Sequence, residues 1–314
     1  MKCRVCKRDA QISLKSYNLN LCSNCFLEFF RKRVYTTINE FKMCTPKDRI
    51  LVAVSGGKDS LSLWHILSDL GYRTCGLHII LDIGEYSQRS YQQVIKFAQT
   101  KSLELRVVSV RDEFGKSIKE LAKIAKCPPC RVCGMVKRYL MNREAEAFDC
   151  LATGHNLDDE ASTLLGNLLN WQEGFLSRQA PVLEENYTLK RKIKPFAFIS
   201  QEEITLYAEL CGIDYLKERC PFSRRATSLI YKGVLNKIEE EMPATKLRFY
   251  KGFIKREYFK GGKREELSPC KRCGYLTVGE VCNFCKLKEK VLERKNLTEG
   301  GDDVRRDSYL KGNH

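Results

Sequence analysis

Two groups of residues in this 314-residue chain carry chemistry by type and spacing. The first is the loop Ser55-Gly56-Gly57-Lys58-Asp59-Ser60. It follows the apolar run Arg-Ile-Leu-Val-Ala-Val at 49–54, which suits a buried parallel strand, and precedes Leu61, Leu63, Trp64, Ile66, Leu67 and Leu70 at helical spacing. Gly71 then closes the helix as a C-cap. Strand, glycine turn and helix are therefore predicted in that order. Glycines let backbone approach an anion closely, and the unpaired N–H groups at a helix start bind phosphate oxygens along the helix dipole. Lys58 adds positive charge, and Asp59 is suited to Mg²⁺. A Walker A loop would need a glycine five residues before a Gly-Lys-Ser/Thr ending, and that pattern is missing.

The second group is the cysteines, of which there are 16. The N-terminus reads Met-Lys-Cys-Arg, without a secretory signal, and no apolar run approaches ~20 residues, so no membrane span is expected. A cytoplasmic chain with reduced thiols follows as the expectation, and reduced thiols at tight spacing point to metal. Cys3 and Cys6 pair with Cys22 and Cys25 across a 15-residue spacer, and Cys270 and Cys273 with Cys282 and Cys285 across 8. Four thiolates on two knuckles suit a closed tetrahedral zinc, so two structural zinc ions are expected. Cys75 and Cys150 in predicted strands and Cys211 in an apolar helix read as small buried hydrophobes, while Cys44 beside Pro46 carries no signal.

The run Cys127-Pro-Pro-Cys130-Arg-Val-Cys133 differs, because three thiols at spacings of three lie just before a helix whose dipole favours thiolate. If Cys130, Cys133 and the distant Cys220 hold a 4Fe–4S cubane, the protein covers three irons and leaves the fourth open, as a catalytic zinc keeps one open position. Cys127 stays open between fourth ligand, persulfide carrier and bystander. Lys137 lies one helical turn beyond Cys133 and shares its face, where its charge would stabilise phosphate or a leaving oxygen. Asp158 and Asp159 open a helix that runs to Asn170. Strand Cys150–Thr153 and the turn at Gly154 set them at the C-terminal edge of the sheet, where α/β folds bind ligands. His78 ends another strand near that edge.

The loop resembles the PP-loop of the N-type ATP pyrophosphatases, which transfer AMP and release pyrophosphate. Together with Cys130-Arg-Val-Cys-Gly-Met-Val-Lys-Arg-Tyr139 and Thr153-Gly-His-Asn-Leu-Asp-Asp-Glu160, the chain resembles, over roughly residues 1–290, the tRNA 2-thiouridine synthetase group within the two-thiocytidine family of PP-loop proteins. The resemblance implies cluster ligands at Cys130, Cys133 and Cys220, catalytic roles for Lys137, Asp159 and Asp59, and an ATP·Mg²⁺ site lined by Ala53, Ser55, Gly57, Lys58, Asp59, Ser60, His78, Ile80, Lys137, Gly154 and Asp159. It further implies a tRNA substrate, with the T-loop 5-methyluridine at position 54 as target and the wobble uridine at position 34 as the alternative. A ubiquitin-like thiocarboxylated carrier or free sulfide would supply sulfur, and a homodimer is expected. ATP would adenylate oxygen 2 of the uridine and sulfide would displace AMP. Persulfide chemistry on Cys130 or Cys133 is the mechanistic alternative. A lysidine or amide synthetase, or a zinc-dependent RNA-binding protein with a degenerate loop, are the other classes compatible with the residues.

These sites are expected on a doubly wound parallel α/β sheet flanked by two zinc knuckles. The expected divisions are an N-terminal finger at 1–28, a linker helix at 29–47, the catalytic domain at 48–222, a basic helical segment at 223–265, a second finger at 266–290 and a polar, disordered tail at 291–314. The formal charge of +16 falls to about +12 once two zinc sites of net −2 each are counted. Two basic stretches are candidate RNA contacts. Lys246, Arg248, Lys251, Lys255 and Arg256 interleave with Phe249, Tyr250, Phe253 and Tyr258, and Lys190, Arg191, Lys192 and Lys194 form the other. Both knuckles are expected to project as basic grips on a folded RNA.

Overall fold

The computed structural model describes residues 1–187, 189–222, 227–256 and 267–306. An N-terminal hairpin, β1 (Ile12–Leu14) and β2 (Leu19–Leu21), leads into α1 (Ser23–Glu40), which begins inside the first knuckle because Cys22 is its N-cap. The main sheet then takes β3 (Arg49–Ala53), β4 (Arg73–Ile80), β5 (Glu104–Ser109), β6 (Cys150–Thr153), β7 (Val182–Leu183) and β8 (Arg191–Ile193) in the order β5-β4-β3-β6-β8-β7. All neighbours are parallel except β7 against β8, so the expected parallel sheet gains one antiparallel edge.

The chain winds outward from β3 through α2 (Lys58–Asp69), β4, α3 (Glu85–Thr100) and β5. It then crosses α4 (Val110–Phe114), α5 (Ile118–Ala125) and α6 (Pro129–Ala145) and returns to β6 on the other side of β3. That reversal creates a switch point between β3 and β6, the crevice in which open α/β sheets bind ligands. Alternate residues face two layers, which explains the unbroken apolar run in β3. Ile50, Val52, Cys150 and Ala152 pack with Leu63, Trp64 and α1, while Leu51, Cys75, Leu77 and Leu151 pack with Ala145 and Phe148. Trp64 lies directly on β4 at Gly76, where a β-carbon would come within 2.5 Å of the indole.

The α7 helix (Leu157–Leu169) follows β6, is succeeded in the chain by α8 (Glu173–Leu176) and α9 (Gln201–Leu210), and is covered by α10 (Thr227–Glu241) and α11 (Thr245–Arg256). This packing changes the reading of both basic stretches. Lys246 is buried, 2.5 Å from Asp158 and 2.6 Å from Asn236 Oδ1. Tyr250 is buried and donates to Glu160 at 3.0 Å, and Phe249 and Phe253 pack in the same apolar cluster as Leu157 and Leu164. Lys194 is buried and donates to the same Glu160 oxygen at 2.9 Å. Lys190 and Arg191 pair with Glu185 and Glu184. The helical and strand periodicity that interleaves charge with aromatics here places the aromatics and two lysines inward, so neither stretch is a continuous cationic face; Tyr258 lies outside the described residues.

The knuckles do not project either. Cys3, Ile12, Leu14, Leu21 and Phe26 belong to the same core as β3 and α2. The second knuckle carries β9 (Ser268–Pro269), β10 (Leu276–Thr277) and the start of α12 (Asn283–Arg306). Its Cys270, Cys282 and Phe284 pack with Phe114, Leu121, Val132, Val136 and Leu140 from α4, α5 and α6. Phe284 stacks on Tyr139 at 3.6 Å and meets Phe114 edge-on at 4.9 Å. The α12 helix runs to Arg306, past the start of the tail expected at 291–314. Among the described residues, no helix is long and apolar enough to cross a membrane.

Lys246→Met removes the partner of a buried carboxylate. The variant is expected to lose roughly 3–5 kcal/mol in urea unfolding, as buried pairs do when one partner is deleted; a change below about 1 kcal/mol, the value of an exposed pair, would contradict this placement of α11.

Candidate active site

The PP-type loop sits at the end of β3, as its strand-turn-helix pattern requires. Gly57 is the N-cap of α2, and the first helical bond runs from Leu61 N–H to the Gly57 carbonyl at 3.2 Å. The amides of Lys58, Asp59 and Ser60 precede that bond and form the helix-start anion site. Gly56 has φ +76°, and a β-carbon there would lie 2.9 Å from the Ser90 carbonyl, so conformation and space both demand glycine. Side chains fasten the loop. Ser60 Oγ accepts from Ser55 N–H at 3.0 Å and donates to the Gly57 carbonyl at 3.0 Å. Ser90 Oγ donates to the Ser55 carbonyl at 2.8 Å, and Leu216 N–H donates to the Gly56 carbonyl at 2.9 Å.

The turn after β6 packs directly onto this loop. A β-carbon on Gly154 would come within 3.0–3.1 Å of the Asp59 carbonyl group and Ser60 nitrogen, so any side chain there would press on the loop backbone. Asn156 then caps α7, accepting from Asp159 N–H at 3.0 Å while the Asp159 carboxylate accepts from Asn156 N–H at 3.3 Å. The same Asn156 amide donates to Asp59 at 3.2 Å. Asp59 and Asp159 thus share one asparagine, with Lys58 on Asp59 at 2.6 Å and Lys232 on Asp159. Two carboxylates beside a phosphate cradle suit Mg²⁺. Asp158, adjacent in sequence, instead points into the interior to Lys246 and the Gln201 amide.

Two histidines lie at this end. His78 is buried, donates through Nδ1 to the Val54 carbonyl at 2.9 Å and stacks on Tyr91, and burial pushes its pKa down. His155 sits at an exposed position and contacts Thr153 Oγ1 at 2.9 Å. His78 therefore supports the strand end that leads into the loop, and Ala53 and Ile80 end the two neighbouring strands β3 and β4.

Cys130 and Cys133 lie on the first turns of α6, whose N-terminus is set by Pro128 and Pro129. The Cys130 thiol donates to the Phe222 carbonyl at 3.0 Å, which ties this helix to the segment two residues past Cys220. Burial raises the Cys133 thiol, Lys137 opposes that rise, and Cys220 and Cys130 both add to it, so the three sulfurs and Lys137 share one neighbourhood. Three soft donors converging from two segments, with an exposed Cys130, fit an iron–sulfur cluster. Cys127 packs against the apolar cluster of α4–α6. At the two knuckles, all four sulfurs of Cys3, Cys6, Cys22 and Cys25, and of Cys270, Cys273, Cys282 and Cys285, lie within 4.8 Å of one another. Backbone amides point at the sulfur: Cys282 N–H donates to Cys270 Sγ at 3.2 Å, and amide donors at Cys6 lower Cys3 to about 6. Both sets fit a closed tetrahedral metal.

Ser90, Asn156 and Lys232 are site residues that sequence reasoning missed. Asn156 was findable, because an asparagine three residues before Asp159 is a capping signature; Ser90 and Lys232 reach the site only through tertiary packing.

Comparison with known proteins agrees with this geometry. A PP-loop domain family matches residues 29–225, and the family described as the N-terminal LIM domain of 2-thiouridine synthetase TtuA matches residues 2–27. A tRNA-5-methyluridine(54) 2-sulfurtransferase of Thermus thermophilus is 47% identical over 94% of this chain and 93% of its own length. The protein of that description from Pyrococcus horikoshii is 40% identical over 95% and 98%. Among solved structures, the U34-tRNA thiolase NcsA of Methanococcus maripaludis, with its [4Fe-4S] cluster, superposes with a TM-score of 0.80 at 26% identity, covering 92% of this chain and 96% of that one.

Gly154→Ala should displace the Asp59–Ser60 backbone. Binding of ATP, measured by calorimetry, is expected to weaken at least about tenfold, corresponding to ~1.4 kcal/mol, with thermal stability nearly kept; unchanged affinity would show that the two turns need not touch.

Proposed function

Proceeding from the PP-loop family and its 2-thiouridine synthetase branch, to which this chain belongs, we propose that this ATP-dependent sulfurtransferase replaces oxygen 2 of a tRNA uridine with sulfur. The target is the 5-methyluridine at position 54, the base named for its 40–47% identical relatives. The observation that carries the reading is that the phosphate loop, Asp59 and Asp159 meet at the end of β3 and β6 through Asn156, while α6, which carries Cys130, Cys133 and Lys137, is the helix that enters β6.

The loop amides and Lys58 hold the triphosphate, and Asp59, steadied by Asn156, holds Mg²⁺. Oxygen 2 of the uridine attacks the α-phosphate and pyrophosphate leaves. Sulfide then attacks carbon 2, and the carbon–oxygen bond breaks to release AMP with that oxygen. Lys137 stabilises the negative charge that gathers on the departing phosphate oxygen. Asp159, held between Asn156 and Lys232, positions this centre and shares the Mg²⁺. Cys130, Cys133 and Cys220 hold a 4Fe–4S cluster, which when bound supplies an iron without a protein ligand for sulfide. Cys127 is auxiliary. The two knuckles hold one zinc each. A small carrier's C-terminal thiocarboxylate, or free sulfide, delivers the sulfur to a homodimer. The names of fungal relatives support a cytoplasmic place of action.

Wobble-uridine thiolation at position 34 is the second reading, favoured by the likeness to the archaeal U34 thiolase. The deciding experiment is anaerobic incubation of unmodified tRNA with reconstituted enzyme, ATP, Mg²⁺ and sulfide, followed by positional mass spectrometry. A 2-thio nucleoside at position 54 and stoichiometric AMP are expected, with Cys133→Ala reducing product at least about a hundredfold, ~2.7 kcal/mol in barrier. Thiolation at 34 moves the target, and full activity of Cys133→Ala removes the cluster from the account.

Metal analysis tests the link between the second knuckle and α6. Cys282→Ala should lose one of two zinc ions and, because Phe284 and Tyr139 then lose their fixed stack, should also take up less iron; undiminished iron would uncouple the two sites.

A further inference from the structure

A broad cleft of ≈ 1720 Å³ lies apart from the phosphate loop, with none of Ser55–Ser60 lining it. It is larger than an ordinary small-ligand pocket of roughly 300–1,000 Å³. Arg138, Lys192, Arg178 and Lys255 line it together with the aromatic residues Phe175 and Tyr275. Most cations of this region are already engaged: Lys190 with Glu185, Arg191 with Glu184, Lys194 with Glu160. Among the described residues, neither Arg138 nor Lys192 has an acidic ion-pair partner. Burial, together with neighbouring Lys194 and Arg138, holds the Lys192 ammonium down at about 8, with Glu160 acting against that shift. An anion arriving there would relieve the mutual repulsion of Lys192 and Arg138.

Arg138 follows Lys137 on α6, and Lys192 lies on β8 beside β6, the strand that leads into the turn before Asp159. Phe175 is 58% exposed, with the Arg178 guanidinium 5.6 Å from its ring centre, a surface that offers stacking as well as charge.

We infer that this cleft holds a phosphodiester stretch of unpaired RNA flanking the reacting base, with Arg138 and Lys192 on its phosphates and Phe175 stacked on a neighbouring base. The inference rests on the tRNA reading above and deepens it. Charge alone would also suit an acidic protein; an exposed aromatic, Phe175, beside cations without acidic partners favours unpaired nucleotides.

The test is binding of an unmodified tRNA transcript to the full-length wild-type protein and to Arg138→Gln, Lys192→Gln and the double variant, by fluorescence anisotropy across a salt series. Each single variant is expected to weaken binding about five- to tenfold, and the double variant to flatten the slope of log K against log salt by about 1.4, two phosphate contacts at ~0.7 each. ATP affinity, measured in parallel, reports folding, and the exposed Arg138 keeps the test valid should Lys192→Gln prove unstable. Wild-type affinity and slope in the double variant would overturn the cleft assignment alone. Weakened binding of an acidic carrier protein with unchanged tRNA affinity would give the cleft to that protein instead. Failure of the wild-type chain to bind tRNA would overturn both this inference and the functional reading.

Discussion

The close approach of Gly154 to the Asp59–Ser60 backbone sets the geometry of everything around it. It exists because β3 and β6 are adjacent and parallel, so the turns that leave them emerge side by side at one sheet edge. A methyl group there would have to push that backbone aside by a few tenths of an ångström. With hydrogen alone on Gly154, Asn156 reaches Asp59 and caps α7, and a single amide then orients both the loop carboxylate and Asp159. The helix-start amides and two carboxylates are preorganised by backbone packing rather than by flexible side chains, the condition under which electrostatic stabilisation is strongest.

Beneath α7 lies a second constraint. Glu160 accepts from Lys194 and Tyr250, and Asp158 is neutralised by Lys246, so two buried carboxylates each meet a cation from a different element. Such pairs contribute little net stability against an apolar alternative, yet they are costly to break, and they fix which face of α7 turns inward. Asp159, the residue between them, is therefore turned toward the loop. Three consecutive acidic residues take three separate roles because the helix points them in three directions.

Much of this was legible in the residues. The apolar run at 50–54, the glycines and the helical spacing after Ser60 located β3, the loop and α2, and the knuckle spacings located both four-cysteine sites. The edge strands β7 and β8 escaped, since Arg191-Lys192-Ile193 reads as a charged surface until Glu160, Glu184 and Tyr250 are brought to it from elsewhere in the chain. For the same reason the cationic stretch at 246–256 looked like a surface: helical spacing reveals that one face is apolar but not that Lys246 has a buried aspartate opposite. Packing of the knuckles onto the core left no mark, because a metal site's ligands are local in sequence while its contacts, Phe284 on Tyr139 or Phe26 in the main core, are not.

The second knuckle also dictates an order of assembly. Cys130 and Cys133 emerge from the ribosome about midway through synthesis, yet the apolar face of their helix, Val132, Val136 and Leu140, is covered by residues from 270 onward. Domains fold as they appear, at roughly 5–20 residues per second, so the amino-terminal knuckle can close on the central sheet while α6 still waits for its cover. The cover over the helix that carries Cys130 and Cys133 is thereby made well after the helix itself, so α6 stays exposed until the segment with Cys270, Cys273, Cys282 and Cys285 has been synthesised and has packed onto it.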